Sequence, residues 1–464
     1  MEACIPPGLC ALYKACSRLY PDQLNPLQIT AVRKYWLGGP DPLDYISMYR
    51  HDGGTDEAVT PHWHYVSFGL SDLHGDGRLH EPSGPDTPSG LGLELTFRLR
   101  REPTETTPPT WPAAMMQALA KYVLQSGNLL VSGDHVSYHV PLDGGESRLQ
   151  HILLASDPDL GQVTTPFGPV QFVQIVGITP EELEAVQHWN GSGMVDIMKR
   201  CRGAGGPLLV TDMRRGESVF ELEPAVREEV ECGIDVEGSN LSGVSAWLSW
   251  ARRQPADPAD PAGTAAAAED DAAADQEDAP REVSEKQRRQ IRDTLQRGLL
   301  QVNSGAGRSG SAAGAGAQPL EAMYRRASDG SSSSGDATDT PDIPPSDRLD
   351  KLESLHLTFN LESGLMLPLA LRGRLKHGRH FTFKSMAGDC AVTLVSPSVQ
   401  GSVCTEAQPY VARGRWLQVR LAPALVDRML CDLNVLSDPD QVVLPHTFSW
   451  EDENLAVTIV SDPV

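Results

Sequence analysis

The chain is poor in positive charge: 39 Lys and Arg stand against 62 Asp and Glu, a formal net charge of -23 over 464 residues. That balance argues against nucleic acid as a direct partner, because neutralising phosphates needs clustered basic side chains. No apolar run approaches the ~18 residues that span a bilayer, so no membrane segment is expected. The opening MEACIPPGLCALYKACSRLYP lacks the basic-then-apolar order of a signal peptide. The eight cysteines show no C-x-x-C and no paired spacing, which favours reduced thiols over a disulfide framework. Also missing are G-x-S-x-G, H-E-x-x-H, and a G-x-G-x-x-G after a strand, and Gly203-Ala204-Gly205-Gly206 lacks the Lys-Ser/Thr of a phosphate loop. No constellation asks for catalysis, no cofactor is implied, and the chain is read as a non-enzyme.

What the chain does have is a long low-complexity stretch, Pro255 to Pro345, rich in Ala, Gly, Ser, Pro and Asp. It offers too little apolar surface to offset the entropy of ordering it. The expected organisation is therefore an N-terminal domain over 1–250, a disordered linker over 251–348, and a C-terminal domain over 349–464. Inside the linker, Ser284–Val302 places Ile291, Leu295 and Leu299 on one stripe among Arg288, Arg289, Arg292 and Arg297. That spacing predicts a helix, docked on a folded block or on a partner. Arg325-Arg326-Ala327-Ser328 matches a basic-directed kinase consensus, so Ser328 is a candidate phosphorylation site.

In the first block, Pro26–Tyr35 is read as a helix, and Trp63–Leu70, Leu93–Leu99 and Val170–Val176 as strands. Trp111–Gln125 is a helix with Pro112 in its first turn and Gly127 to close it. Ser132-Gly133-Asp134 sits at the bend of a strand and turn, and Thr179-Pro180-Glu181-Glu182 opens a capped helix. Leu208–Thr211 and Ser218–Leu222 read as paired strands. In the second block Leu355–Phe359, Leu365–Pro368, Phe381–Lys384, Val392–Val395, Leu417–Leu421 and Leu455–Val460 read as strands, with helices over Leu369–His377 and Pro423–Leu433. Elements alternate irregularly without a βαβ period, so both domains are expected to be α+β, with mixed sheets. His62-Trp63-His64 could present two metal ligands on one strand face, but no further ligand follows at suitable spacing, and core histidines are the plainer reading. His377-x-x-His380 is as weak a signal.

Several strings together carry a resemblance: RLYPDQLNPLQITAVRKYWLGGPDPLDYISMYR, HWHYVSFGLSDLHGD, PPTWPAAMMQALAKYVLQSGN, SGDHVSYH, TPFGPVQFVQIVGITPEEL, LLVTDMRRGES, GSNLSGVSA and LRGRLKHGRHFTFKS. In number and order they resemble the Suppressor of fused family, negative regulators of Hedgehog signalling, across both blocks but not the linker. The resemblance implies a binding protein that sequesters Gli/Ci zinc-finger transcription factors in the cytoplasm and keeps nuclear complexes repressed. It implies a Gli segment, Ser-Tyr-Gly-His-Ile, held as an added strand between two closing domains. It also implies a Fused-type kinase and nuclear corepressors as further partners. The positions it marks are Tyr122 and Asp134, then Ser156 where the family carries an acid, with Asp157 beside it. In the second domain it marks Met366, flanked by Leu365 and Leu367. By residue type alone Asp134 is equally a turn carboxylate bonded to its own backbone. Two rivals stand beside this reading: a hydrolase-like enzyme on the first block, needing converging His and carboxylate groups, and a static scaffold.

Overall fold

The computed structural model describes residues 5–54, 59–82, 84–252, 349–386, 388, 390–437 and 442–461. Residues 253–348 of the expected linker, with its helix at Ser284–Val302 and Ser328, lie outside the described residues. The fold is α+β, built from mixed sheets in two units. The first unit runs to Val244 and takes in Pro368–Phe381; the second holds Ser245 onward to Arg252, 349–367, and Thr382 onward. These units interleave along the chain, with limits that differ from 250 and 349. Leu248–Ala251 pairs with Leu355–Asn360, so the end of the first block belongs to the second unit's sheet.

The first unit is organised by an 8-stranded sheet in the order β1-β2-β3-β4-β8-β6-β5, with β7 paired to β8. Its strands are β1 (Leu27–Thr30), β2 (Tyr45–His51), β3 (His62–Phe68), β4 (Leu93–Arg100), β5 (His135–Val136), β6 (His151–Ser156), β7 (Gln162–Thr165) and β8 (Gly168–Ile178). One face packs under α2 (Trp111–Ser126), whose Met115, Met116, Leu119 and Val123 meet Leu95, Phe97, Leu154 and Ile175. On the other face lies α1 (Pro7–Leu19), burying Leu9 and Leu12 against Val66, Phe68 and Phe172. There too lie α3 (Pro180–His188), α4 (Gly191–Arg200) and α6 (Val226–Glu237), packed on Leu153, Val176 and Ile178.

Because both faces are covered, the inner strands do not alternate between core and solvent. β3 is buried throughout, and Glu94, Thr96 and Arg98 of β4 are as buried as the leucines between them. Arg98 is met by Asp157, whose Oδ2 accepts from Arg98 Nη1 at 2.7 Å, Thr96 Oγ1 at 2.8 Å and His64 Nε2 at 3.2 Å. Asp157 Oδ1 accepts from Arg98 Nη2 at 3.1 Å and from the Asp159 and Leu160 amides at 2.9 and 2.8 Å. Burial alone would raise the Asp157 carboxyl, but Arg98 and the His64 contact outweigh it and hold it well below the ordinary carboxylate range. His62 and His64 are core residues of this region, bonded to the Thr60 carbonyl at 2.7 Å and the Tyr20 hydroxyl at 2.9 Å.

Among the local readings overturned, one falls to tertiary pairing and one to a local cap. Pro26–Tyr35 is not a helix: Leu27–Thr30 pairs with β2, and Gln28 bonds Ser47 at 2.8 Å across that pair. Ser218–Leu222 is not a strand but α5 (Val219–Leu222), started by a capping box between Ser218 and Glu221. The Thr179–Glu182 box is present as the sequence indicates, and Glu182 does more than cap. Its carboxylate also bonds Arg215 and accepts the Val219 amide at 2.8 Å, so one buried acid joins α3 to α5.

Pro368–Phe381 docks on the end of α6. Arg372 bridges Asp235 and Glu231, while Arg374 and Arg379 both donate to the Ser239 carbonyl at 2.8 and 3.0 Å. Cations near the C-terminal end of a helix are favoured by its exposed carbonyls and dipole.

The second unit holds two sheets. One runs β10-β12-β18-β17, from β10 (Leu248–Ala251), β12 (Leu355–Asn360), β17 (His446–Trp450) and β18 (Leu455–Val460). The other runs β11-β15-β16-β14-β13-β9, ending at β9 (Gly243–Ala246), where the chain enters the unit. Its remaining strands are β11 (Leu349–Leu352), β13 (Phe381–Ser385), β14 (Ala391–Val395), β15 (Tyr410–Arg413) and β16 (Trp416–Arg420). Two helices accompany them, α7 (Leu361–Gly364) and α8 (Pro423–Asp432). Among the described residues no helix is long and apolar enough to cross a membrane.

Replacing Asp157 by Asn leaves the buried Arg98 guanidinium with only the partly exposed Asp159 as counter-charge. The expected loss is about 3–5 kcal/mol of unfolding free energy, as for other broken buried pairs. In the wild type this contribution is present above the unfolded carboxyl value of ~3.9 and disappears as pH falls through the lower folded value. Urea denaturation of both proteins at pH 7 and across the acid range checks both statements; an Asn variant as stable as wild type contradicts them.

Candidate functional site

The candidate site on the first unit is assembled at the open end of the sheet. α2 ends at Gly127, in the left-handed region at φ 71°, and the chain crosses Asn128–Val131 to a tight turn before β5. Tyr122, on the last turns of α2, is buried, and its hydroxyl accepts from Asn128 Nδ2 at 2.9 Å. Gly133 in the turn has φ 94°, and a Cβ on Gly191 would lie 2.0 Å from the Gly133 carbonyl oxygen. Only glycine at Gly191 lets the turn rest on the start of α4.

That contact fixes Asp134. Its amide donates to the Val131 carbonyl at 3.1 Å, and its own carbonyl accepts from the Leu154 amide at 2.8 Å. One side-chain oxygen accepts the Val131 amide at 2.9 Å. The turn reading of Asp134 is therefore correct for that oxygen, whereas the other has no hydrogen-bond partner among the described residues. Burial pushes the Asp134 carboxyl up to about 6, only partly opposed by the Val131 amide. The flanking Leu129-Leu130-Val131, expected as strand, is irregular, because the turn backbone is spent on Asp134.

β5 covers only Ile152 and Leu153 of β6, and among the described residues no strand lies beside Ala155 and Ser156 on that side. Ser156 is exposed there, accepting from Gln171 Nε2 at 2.8 Å. Val136, Ile152, Leu154 and Tyr122 share one core cluster, so Tyr122, the Asp134 turn and the β6 end stand on one side of the sheet. Asp157 does not join them: its carboxylate is consumed by Arg98, His64 and Thr96, and it is withdrawn as a contact residue.

The expected strand at Leu365–Pro368, of which Leu365–Leu367 belong to the second unit, is a run of helical turns. Asn360 caps α7, its side chain accepting from the Ser363 amide at 3.1 Å, and the Leu365 amide donates to Leu361. Gly364 permits this: a Cβ there would meet Ile459 Cδ1 at 2.6 Å. Leu365 and Met366 are half-buried and available at the surface, whereas Leu367 is buried.

A depression of about 490 Å3 on the first unit is lined by Leu99, Trp111, Met213 and several charged groups, none of them histidine. Its arginines are engaged: Arg214 with Glu102 at 3.0 Å, Arg100 with Asp212, and Arg148 with Glu181 and Glu221. The converging His and carboxylate groups that a hydrolase would need are not among its lining residues. Among the described residues no cluster could hold a metal ion.

Residues 39–216 match the family model described as Suppressor of fused protein (SUFU), and residues 228–459 match Suppressor of Fused Gli/Ci N terminal binding domain. The chain is 52% identical over 474 residues to the Suppressor of fused homolog of Mus musculus, and 50% over 466 residues to that of Homo sapiens. Each alignment covers 98% of this chain and 92% of the relative. The crystal structure of Drosophila Suppressor of Fused superposes with a TM-score of 0.69 at 34% identity, over 99% of this chain and 98% of that one. The chain belongs to the Suppressor of fused family.

In this Suppressor of fused chain, what sequence reasoning missed near the site is the Arg98 network that anchors the end of β6. Its signal was the polar register Glu94, Thr96, Arg98, which alternation assigns to solvent. The helices α4 and α6 were also missed; Gly191, Gly193 and Gly233 weaken their local signal, and Trp189 packs against the last two.

A buried carboxyl at about 6 also makes a statement about stability. The folded protein holds the Asp134 proton more tightly than the unfolded chain, so stability declines as pH rises from ~4 to 6. Asp134→Asn keeps an acceptor for the Val131 amide and removes the charge. It should be more stable than wild type by about 1–2 kcal/mol at pH 7, allowing for solvent screening, with no gain near pH 4. Thermal denaturation at the two pH values reads this difference directly.

Proposed function

We propose that this chain is a non-enzymatic negative regulator of Hedgehog signalling that binds Gli/Ci transcription factors. The observation that carries the reading is the match of residues 228–459 to a model described as a Gli/Ci N terminal binding domain. The bound segment is Ser-Tyr-Gly-His-Ile, entering as an added strand beside the uncovered end of β6. Its histidine meets the partnerless oxygen of Asp134, its polar groups meet Tyr122 and Ser156, and Leu365 and Met366 supply apolar contact as the two domains close on it. Strand addition suits this place because main-chain groups give affinity and neighbouring side chains give selectivity. Sequestration of this kind places the protein in cytoplasm and nucleus, with a Fused-type kinase and nuclear corepressors as further partners and Ser328 as a phosphorylation site.

Charge sets the expected pH profile. The free ligand histidine titrates near 6.5, and Asp134 near 6 before binding. A carboxylate facing an imidazolium exists in quantity only between these values, so affinity should peak around pH 6 and fall on both sides. On the acid side Asp134 is neutral; on the alkaline side the histidine is. Asp134→Asn should lose about 1.5–3 kcal/mol at the peak and flatten the profile. Titration calorimetry with the pentapeptide across pH 5–8 tests this, and equal affinities for wild type and variant would remove Asp134 from the site. Small-angle scattering separates a clamp from a static scaffold: the clamp compacts at saturating peptide, the scaffold does not.

A further inference from the structure

The second unit carries another edge suited to an extended ligand, and it is independent of the reading above. β17 is the terminal strand of its sheet: it pairs with β18 through His446↔Ile459 to Trp450↔Leu455, and no described strand lies on its outer side. Such an edge presents a row of unpaired backbone groups, which proteins usually blunt with Lys, Pro or a bulge. The strand His446-Thr447-Phe448-Ser449-Trp450 contains neither Lys nor Pro.

α8 and the turn Leu433–Ser437 border this edge, and two depressions run along it, of about 440 and 410 Å3. They share Asp432 and Ser449 and so form one groove. Aromatic rings lie under its floor, with Phe448 and Trp450 buried. Phe448 and Trp450 are stacked with centroids 6.3 Å apart, and His446 lies 4.6 Å from Phe448. Carboxylates make its walls: Asp427, Asp432, Glu451 and Asp452, with Arg428 as the cation among the described lining residues. That cation is already matched, donating to Asp452 at 2.6 Å and Glu453 at 3.4 Å. The Trp450 indole donates to Asp432 at 2.8 Å, which holds that carboxylate in place.

We infer that the β17 groove binds an extended partner segment of about five residues in which Lys or Arg alternates with apolar side chains. The edge recognises the backbone. Cations find carboxylates along its walls. An acidic segment would meet like charge on every wall.

The exposed thiol of Cys431 lines the groove and reports on it; exposed Cys232, on α6, serves as the internal control. The full chain is titrated with Val-Lys-Val-Arg-Val-Lys, with Val-Glu-Val-Glu-Val-Glu, and with the basic peptide N-methylated at alternate amides. Iodoacetamide labelling is followed at both thiols. The basic peptide is expected to bind about tenfold or more tightly than either other peptide and to slow Cys431 labelling about fivefold, leaving Cys232 unchanged. A Glu451→Lys/Asp452→Lys variant should abolish that protection, whereas Glu228→Lys/Glu229→Lys on α6 should not. Unchanged Cys431 labelling at saturating basic peptide overturns the inference, as does equal binding of the methylated peptide. Binding that appears only once residues 253–348 are removed would make the chain's own segment the occupant, and would equally overturn a partner peptide.

Discussion

The Arg98–Asp157 pair is the contact on which the first unit depends. A guanidinium with no solvent exposure needs compensation, and Asp157, Asp159 and Gln174 supply it at the two terminal nitrogens. Those partners come from different places: the loop after β6, and β8, while Thr96 and His64 add β4 and β3. Tyr20, just beyond α1, closes the set through His64. Hydrophobic contact along these strands is non-directional and would tolerate a slipped register. A buried charged network penalises any slip by several kcal/mol. The same network fixes the end of β6, because Asp157 follows Ser156 directly. The candidate edge is rigid for that reason.

At the site itself, stability and ligand readiness oppose each other. Asp134 is held under-solvated by a turn that leans on α4 through Gly133 and Gly191, with half of its hydrogen-bonding capacity spent on Val131. A carboxylate raised to about 6 is costly to the empty protein at neutral pH. It is also prepared to accept a cationic donor, because the desolvation has been met in folding rather than at binding. Places where local cost is retained in this way are where function is expected.

The run Pro368–Phe381 adds a constraint of another kind. Arg372 reaches back across 141 positions to Glu231, and Ser239 donates to the Gly373 carbonyl at 2.7 Å. The first unit therefore closes only after most of the chain is available. Two units built from interleaved segments cannot be separated by one cut, whatever the composition between them suggests. Contacts of such separation carry loop-closure entropy that local elements do not.

The sequence by itself determined the elements whose signals are local. The α2 helix with Pro112 and Gly127, the Thr179–Glu182 cap and the α8 helix stand where spacing and capping residues place them, and the strands expected at Trp63–Leu70, Leu93–Leu99 and Val170–Val176 each overlap an observed strand. The low-complexity composition of Pro255–Pro345 and the family strings were equally plain. Elements set by pairing were not: Leu27–Thr30 is a strand because β2 offers an edge, and Leu365–Met366 is a helical turn because Asn360 caps it and Gly364 clears Ile459. Nor could residue type alone separate Ser156 from Asp157, neighbours of which one faces outward and the other ends on Arg98. Periodicity reports which side chains share a face, whereas only the tertiary structure decides what covers that face; here helices cover both, and polar residues that would meet water meet each other instead.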